Sequence, residues 1–344
     1  MTTRKKTQRI SAAARTKSRG RARSRTGGKG PPQLEIRRIL VPIDFSPQSR
    51  AALAFALPLV EKFRAELHLV HVFAADYPLS SMVALPLIVP ALEVERRVRS
   101  HLQSVAGKES ARIRPENVHA AKGEPFEEIC RLARELQIDL VVSATRGRTG
   151  LKHLALGSTA ERIVRHAPCP VLVVHPTGGK TKRRRPAFKK ILVPTDFSAC
   201  AAKGLAYAKA LAQRFDSRLV LLNSVDLHYY STNPEFILYD LPPLLAESEK
   251  AARQQMRDLV EETDWGGIAV ETLLESGHAG EQICRRAQEG GTELIVTSTH
   301  GKTGLAHIFI GSTAEYVVRH APCPVLVVPS HERAPRPARK LLRR

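Results

Sequence analysis

Two groups of residues in this chain have the types and spacing to handle an anion, and each occurs twice. Asp44 and Asp196 stand in the repeated run Ile-Leu-Val-Pro-x-Asp-Phe-Ser. Thr145-Arg-Gly147 and Thr299-His-Gly301 are each followed, after nine further residues, by Gly157-Ser158-Thr159 and Gly311-Ser312-Thr313. Glycines let backbone amides approach an anion closely. A helix opening at the Gly-Ser step would add unpaired N–H groups and a favourable dipole. With the hydroxyls of Ser158, Thr159, Ser312 and Thr313, that makes a phosphate cradle. It is not a Walker loop, because Gly301-Lys302-Thr303 has Val296 where that motif needs glycine. Capping accounts for the same residues equally well. Ser158-Thr-Ala-Glu161 and Ser312-Thr-Ala-Glu315 fit the capping-box pattern, and Asp44 and Asp196 read equally as caps for the helices that follow.

The elements that must position these residues also come in duplicate. Ile39 to Ser46 recurs as Ile191 to Ser198, and Asp139 to Val174 recurs without a gap as Glu293 to Val328, identical at about two-thirds of positions. A period of 152 to 154 residues is a duplicated domain, not a solenoid. Each half alternates short apolar runs with helical periods: Ile39–Ile43, Leu67–Phe73, Val118–Ala121, Leu140–Ala144 and Val171–Val174 read as strands. Helices are predicted over Ser49–Arg64, Leu92–Ala106, Glu124–Leu136 and Ser158–Arg165. This is the pattern of βαβ units with a parallel sheet covered on both faces. In such sheets ligands bind beyond the carboxyl ends of the strands, where strand order reverses. Both candidate groups lie at such ends.

Charge sets the remaining boundaries. The chain carries 54 Lys/Arg against 33 Asp/Glu, a formal +21, which on its face suggests nucleic acid or an anionic surface. Residues 1–30 hold 11 basic residues and no acid, residues 175–190 hold seven and no acid, and residues 329–344 hold six against Glu332. The two bodies are therefore near neutral. The expected organisation is a basic, solvated tail (1–34), a first domain (35–176), a basic linker (177–188), a second domain (189–330) and a basic C-terminal tail (331–344). The tails are expected to meet nucleic acid or another polyanion and to act apart from the bodies. The apolar stretch Leu79 to Leu92 is too short to cross a membrane and is broken by Pro86 and Pro90. No apolar leader precedes the first body, and the five cysteines form no C-x-x-C pair, so buried free thiols in the cytoplasm are expected.

At these residues the sequence resembles the universal stress protein family. The Val-Pro-x-Asp-Phe-Ser start, the Gly-x9-Gly-Ser loop and the closing Ala-Pro-Cys-Pro-Val-Leu-Val-Val carry the resemblance over both halves. It implies two tandem Rossmann-like α/β domains, each a five-stranded parallel sheet in order 3-2-1-4-5 with helices on both faces. It also implies ATP or another adenine nucleotide, with Mg²⁺ or Mn²⁺, at the switch point between the first and fourth strands. By the resemblance Pro42, Ile43 and Val72 would meet the adenine end, Asp44 the ribose or adenine end, and Gly147, Gly157, Ser158 and Thr159 the phosphates. Pro194, Thr195, Asp196, Val225, Gly301, Gly311, Ser312 and Thr313 are taken as the second-half counterparts.

One departure stands out: the ATP-binding pattern has a further glycine where this chain has Ala144 and Ser298. A left-handed backbone there would make either residue costly. Arg148 and Lys302, within the loops, read either as phosphate contacts or as solvated charges. The repeated His153/His307 and His166/His320 are explained by duplication alone. No Ser-His-Asp set or carboxylate pair is evident, so the resemblance implies a stress-response binding protein acting through conformation or partners, with slow ATP hydrolysis as the alternative. The closing strands, Pro170–Val174 and Pro324–Val328, would pair within the chain, and a homodimer stays open.

Overall fold

Ile39, Leu40 and Val41 are completely buried, which requires a strand covered on both faces. They form the middle of β1 (Arg38–Pro42). The first half continues through α1 (Pro47–Phe63), β2 (Glu66–Phe73), α2 (Ala91–Glu109), β3 (Val118–Lys122), α3 (Pro125–Glu135), β4 (Leu140–Ala144), α4 (Ser158–His166) and β5 (Val171–Val174). The second half repeats the series as β6 (Lys190–Pro194), α5 (Ala199–Phe215), β7 (Arg218–Val225), α6 (Leu241–Glu262) and β8 (Val270–Ser276). It closes with α7 (Ala279–Glu289), β9 (Leu294–Ser298), α8 (Ser312–His320) and β10 (Val325–Val328). This computed structural model describes residues 35–73, 91–109, 113–145, 156–175, 188–225, 241–301 and 310–330. The tails, the linker up to residue 187, Gly147, Arg148, Lys302, His153 and His307 lie outside the described residues.

Local chemistry sets the helix ends. Ser46 caps α1 by accepting the Ser49 N–H at 3.1 Å, with Pro47 at the first helical position, where a missing N–H costs nothing. Ser198 caps α5 in the same way through Ala201 N–H. At the other ends Arg64 and Asp216 take the left-handed conformation that stops each helix.

The ten strands form one sheet in the order β3-β2-β1-β4-β5-β10-β9-β6-β7-β8. Within each half all pairings are parallel. The halves join through the antiparallel pair β5–β10, with Val171 opposite Val327 and Val173 opposite Val325. The hydrophobic interior is two layers, one on each face of the sheet, and each runs through both halves. Edge pairing is the reason, since it makes the two half-sheets a single surface. Helices α1, α2, α5 and α6 cover one face, and α3, α4, α7 and α8 the other.

The halves meet on both faces of the junction, on one of them with pseudo-twofold contacts. The rings of Phe63 and Phe215 meet edge-on at 5.9 Å. Lys62 lies 5.5 Å over the Phe215 ring, while Arg214 lies 5.8 Å over Phe63 and donates to the Lys62 carbonyl at 2.6 Å. On the opposite face Glu161 accepts from Arg165 at 2.8 Å and Arg319 at 3.2 Å, and Arg319 also meets Glu315 at 2.7 Å. All five cysteines are free thiols. Burial pushes Cys130 and Cys284 up to about 11 and Cys323 up to about 12, so these three stay protonated. Among the described residues no helix is long and apolar enough to cross a membrane.

One polar pair breaks the symmetry of the halves. His68 Nδ1 and His119 Nε2 lie 3.2 Å apart between β2 and β3, where the second half has Val220 and Leu273. Their hydrogen bond needs one bare ring nitrogen. Burial lowers His119 to about 4, helped by His68 and Arg99; burial also lowers His68, with Arg38 assisting and Glu66 opposing. The unfolded chain, with ordinary values near 6.5, therefore binds protons first as pH falls. Stability is full above about pH 6.5 and is lost as pH drops toward about 4. Urea midpoints at pH 7.5 and 4.5 are expected to show this loss. It should shrink in the double variant His68→Val/His119→Leu, and equal losses in the two proteins would contradict the assignment.

Candidate functional site

At the end of β1 the backbone is held on both sides by its neighbour strand. Ile43 N–H donates to the Val70 carbonyl at 2.7 Å, and the Ile43 carbonyl lies 2.6 Å from His71 Nδ1. In the second half Thr195 N–H donates to Leu222 O at 2.8 Å, and Asn223 Nδ2 donates to Thr195 O at 2.9 Å. Pro42 and Pro194 are the last residues of their strands, so positions 43–44 and 195–196 emerge on the carboxyl edge.

The aspartates that follow are not the helix caps. Asp44 Oδ1 accepts from Ser46 N–H at 3.0 Å and from Ser46 Oγ at 2.5 Å, and Asp196 Oδ1 accepts from Ser198 N–H at 3.0 Å. Each carboxylate thus makes an Asx turn that orients the serine, and the serine caps. The turn forces Phe45 and Phe197 to φ values of 65° and 63°. A left-handed phenylalanine is strained, and such strain persists only where the surroundings over-determine it. In the first half the Phe45 ring packs against His71 at 4.6 Å and His101 at 4.4 Å.

Beyond β4 and β9 a second device repeats. Thr145 N–H donates to Val174 O at 3.2 Å and Thr299 N–H to Val328 O at 3.1 Å, which continues the sheet by one residue. The loops then close on the same threonines: Gly157 N–H reaches Thr145 O at 2.7 Å, and Gly311 N–H reaches Thr299 O at 2.8 Å. These bonds hold the amino ends of α4 and α8 against the carboxyl edge.

The closure also settles the capping question. The N-cap residues are Gly157 and Gly311, with no side-chain cap, and Ser158 and Ser312 are already the first helical residues. The capping boxes therefore do not form. Glu161 and Glu315, their expected acidic members, pair with arginines instead. Intrahelical bonding starts with Glu161 to Gly157 at 3.0 Å and Glu315 to Gly311 at 2.9 Å, so the amides of residues 158–160 and 312–314 precede it. Ser158 and Ser312 are exposed, and Thr159 and Thr313 half-buried. The arrangement offers backbone donors, hydroxyls and the positive end of a helix dipole to an anion.

In the second half the two devices touch. A Cβ on Gly301 would lie 2.5 Å from Asp196 Oδ2, and one on Gly311 would lie 3.3 Å from the Thr299 carbonyl. The glycine at 301 lets the loop backbone lie against the Asp196 carboxylate, which would have to shift to admit a methyl group. His300 is held between Thr299 Oγ1 at 2.9 Å and Ser330 Oγ at 3.2 Å through its Nδ1, while its buried Nε2 has no hydrogen-bond partner.

Ala144 and Ser298, the departures from glycine, end their strands without positive φ. No left-handed strain arises there; Ala144 is buried and Ser298 Oγ donates to His300 O at 2.8 Å. The expected equivalence of Val72 and Val225 needs correction. Pro42 pairs with Val70 and Pro194 with Leu222, so the counterpart of Val72 is Ser224, and Val225 matches Phe73. Two positions were missed: His71 and Asn223, each polar inside an apolar run, which was the available signal. Among the described residues no group of three or more His, Cys, Asp or Glu side chains is placed to hold a metal ion.

Comparison with known proteins gives the same duplication. The model of the universal stress protein family matches residues 35–175 and again 187–329. Two universal stress proteins of Methanocaldococcus jannaschii align with one half's length of the chain. One is 34% identical over 142 residues, covering 41% of this chain and 82% of the relative. The other is 31% identical over 153 residues, covering 41% and 94%. The crystal structure of a universal stress protein from Archaeoglobus fulgidus superposes over 87% of this chain and 97% of that one, with a TM-score of 0.60 at 21% identity, a likeness of fold.

Gly301→Ala is expected to cost about 1–3 kcal/mol through the clash with Asp196, measured as a lower urea midpoint. Gly107→Ala, in α2 with nothing within 4 Å of the added methyl, should hold or gain stability by about 1 kcal/mol.

Proposed function

The chain belongs to the universal stress protein family, and from that premise we propose that it binds ATP or a related adenine nucleotide on the carboxyl edge of each half-sheet. One observation carries the reading: α4 and α8 both open at a glycine without a side-chain cap, leaving their first amides and hydroxyls for a ligand. A polyphosphate is the ligand whose charge fits an open helix terminus. The glycine at 301, where a methyl group would clash, supports close approach of the backbone.

The roles follow from position. Pro42, Ile43 and Val72 take the adenine end in the first half, and Pro194, Thr195 and Ser224 in the second. Asp44 and Asp196 receive ribose hydroxyls through a carboxylate already oriented by the following serine. Gly157, Ser158 and Thr159, with Gly311, Ser312 and Thr313, hold phosphate oxygens. By the sequence pattern alone, Gly147, Arg148 and Lys302 would complete the phosphate end with Gly301. Mg²⁺ or Mn²⁺ would accompany the phosphates, bound through their oxygens, nearby hydroxyls and water rather than by a protein cage.

The site holds nucleotide rather than transforming it, and its output is a change of conformation or partner in a cytoplasmic stress response. Calorimetric titration of the full chain with ATP and Mg²⁺ is expected to give two sites. Gly157→Val and Gly311→Val should each remove one, and the pair together both. Absence of binding to the unaltered chain, or undiminished binding to the double variant, would overturn the proposal.

A further inference from the structure

Two polar side chains sit where the sheet has no need of them. On its face of β2, His71 stands between Leu69 and Phe73, and on its face of β7, Asn223 stands between Leu221 and Val225. Both are buried, and a buried polar group costs free energy unless it is hydrogen-bonded. Other polar groups of these strands differ between the halves: His68 is matched by Val220, and His119 by Leu273. At 71 and 223 the residue type has changed and the donor has stayed.

The donor occupies the same place in the two side chains. A carbonyl oxygen only accepts, so His71 Nδ1, 2.6 Å from the Ile43 oxygen, carries the proton. Asn223 Nδ2 donates to the Thr195 oxygen at 2.9 Å. Each of these nitrogens is bonded to Cγ, so imidazole and amide reach equally far.

The strand registers show what the bond replaces. β1 stops pairing with β2 at Pro42 opposite Val70, and β6 with β7 at Pro194 opposite Leu222. β2 and β7 run on to Phe73 and Val225, paired on their other sides with β3 and β8. One more rung of a parallel ladder would bring the Val72 or Ser224 N–H to the Ile43 or Thr195 carbonyl. The side chain of the preceding residue takes that carbonyl instead.

This pin lies one residue before the aspartate. It fixes the peptide that enters Asp44 or Asp196, while the bond from the serine N–H to the carboxylate fixes the far end of the turn. Between the two, Phe45 and Phe197 are held left-handed, a conformation that persists only where the surroundings over-determine it.

We propose that His71 and Asn223 are the positioning residues of the two nucleotide sites. Each pins the carbonyl before the aspartate and so keeps the strained turn aiming its carboxylate at the ribose. The ribose role rests on the nucleotide reading above; the hold on the turn does not.

Two measurements on the full chain test this. In unliganded protein, exchange of the Ser46 N–H should quicken about tenfold in His71→Leu and stay unchanged in His71→Asn. Asn223→Leu should do the same to the Ser198 N–H, and Asn223→His should not. Leucine keeps each position apolar and filled, and the untouched turn of the other half reports that the variant is folded. Calorimetric titration with ATP and Mg²⁺ then reads one site at a time, with the His71 variants carried in Gly311→Val and the Asn223 variants in Gly157→Val. The leucine variants should bind ATP about tenfold more weakly, and the His/Asn swaps within about twofold of their parents. A 2′,3′-dideoxy-ATP, which offers no ribose hydroxyl, should bind the leucine variants and their parents alike. Equal quickening of both turns, equal losses for ATP and the dideoxy analogue, or swaps as weak as the leucine variants would overturn the proposal. Failure of the unaltered chain to bind ATP would overturn the nucleotide reading and the ribose role with it, and the Ser46 and Ser198 exchange rates would still decide the hold on the turn.

Discussion

The antiparallel pairing of β5 with β10 is the constraint from which the rest of the architecture follows. Each is a four-residue Val-Leu-Val-Val strand, buried throughout, and each would leave an apolar edge with unpaired backbone groups if its half stood alone. Joining them satisfies both edges within one chain and makes the interior continuous across ten strands. The contacts around the junction are reciprocal on one face, where Lys62 lies over Phe215 and Arg214 over Phe63, and on the other Glu161 joins Arg165 to Arg319. This is the arrangement of an isologous dimer interface, formed here between halves of one polypeptide. The same pairing sends the two carboxyl edges to opposite sides of the molecule, so the candidate sites face away from each other.

Each site is built from two local devices held on that frame. One is an Asx turn that strains a phenylalanine and aims a carboxylate; the other is a glycine that starts a helix without capping it. Both depend on short backbone bonds to the ends of strands rather than on the loops between. The halves share these devices and differ in their polar trim. His71 supports the Ile43 carbonyl where Asn223 supports that of Thr195, and the His68–His119 pair has an apolar counterpart. The duplication has kept the backbone of the two devices and changed the side chains behind it.

Much of this was legible in the sequence. The continuous apolar runs marked the strands to within one or two residues because strands buried on both faces leave no alternative pattern. The spacing of the glycine loop pointed to the carboxyl edge because only a helix start places Gly-Ser-Thr there. Other features were not legible, for physical reasons. Ser158-Thr-Ala-Glu161 has the composition of a capping box, yet the bond from Gly157 to Thr145 begins the helix one residue earlier than a box needs. Asp44 looked like a cap, but Pro47 at the first helical position leaves that place to Ser46. The match of Val72 with Val225 failed by one residue, which in a strand reverses the face. The pairing of the closing strands that joins the halves into one sheet was implied by the resemblance, but its antiparallel register, with Val171 opposite Val327, is encoded by no local pattern.

The central claim is that polyphosphate binds at the uncapped helix starts on two opposite edges. A crystal structure of the full chain grown with ATP and Mg²⁺ tests it most directly. The account predicts phosphate density against the amides of Ser158–Thr159 and of Ser312–Thr313, with Asp44 and Asp196 at the ribose. Nucleotide bound elsewhere on the molecule, or both helix starts empty at saturating ATP, would contradict it.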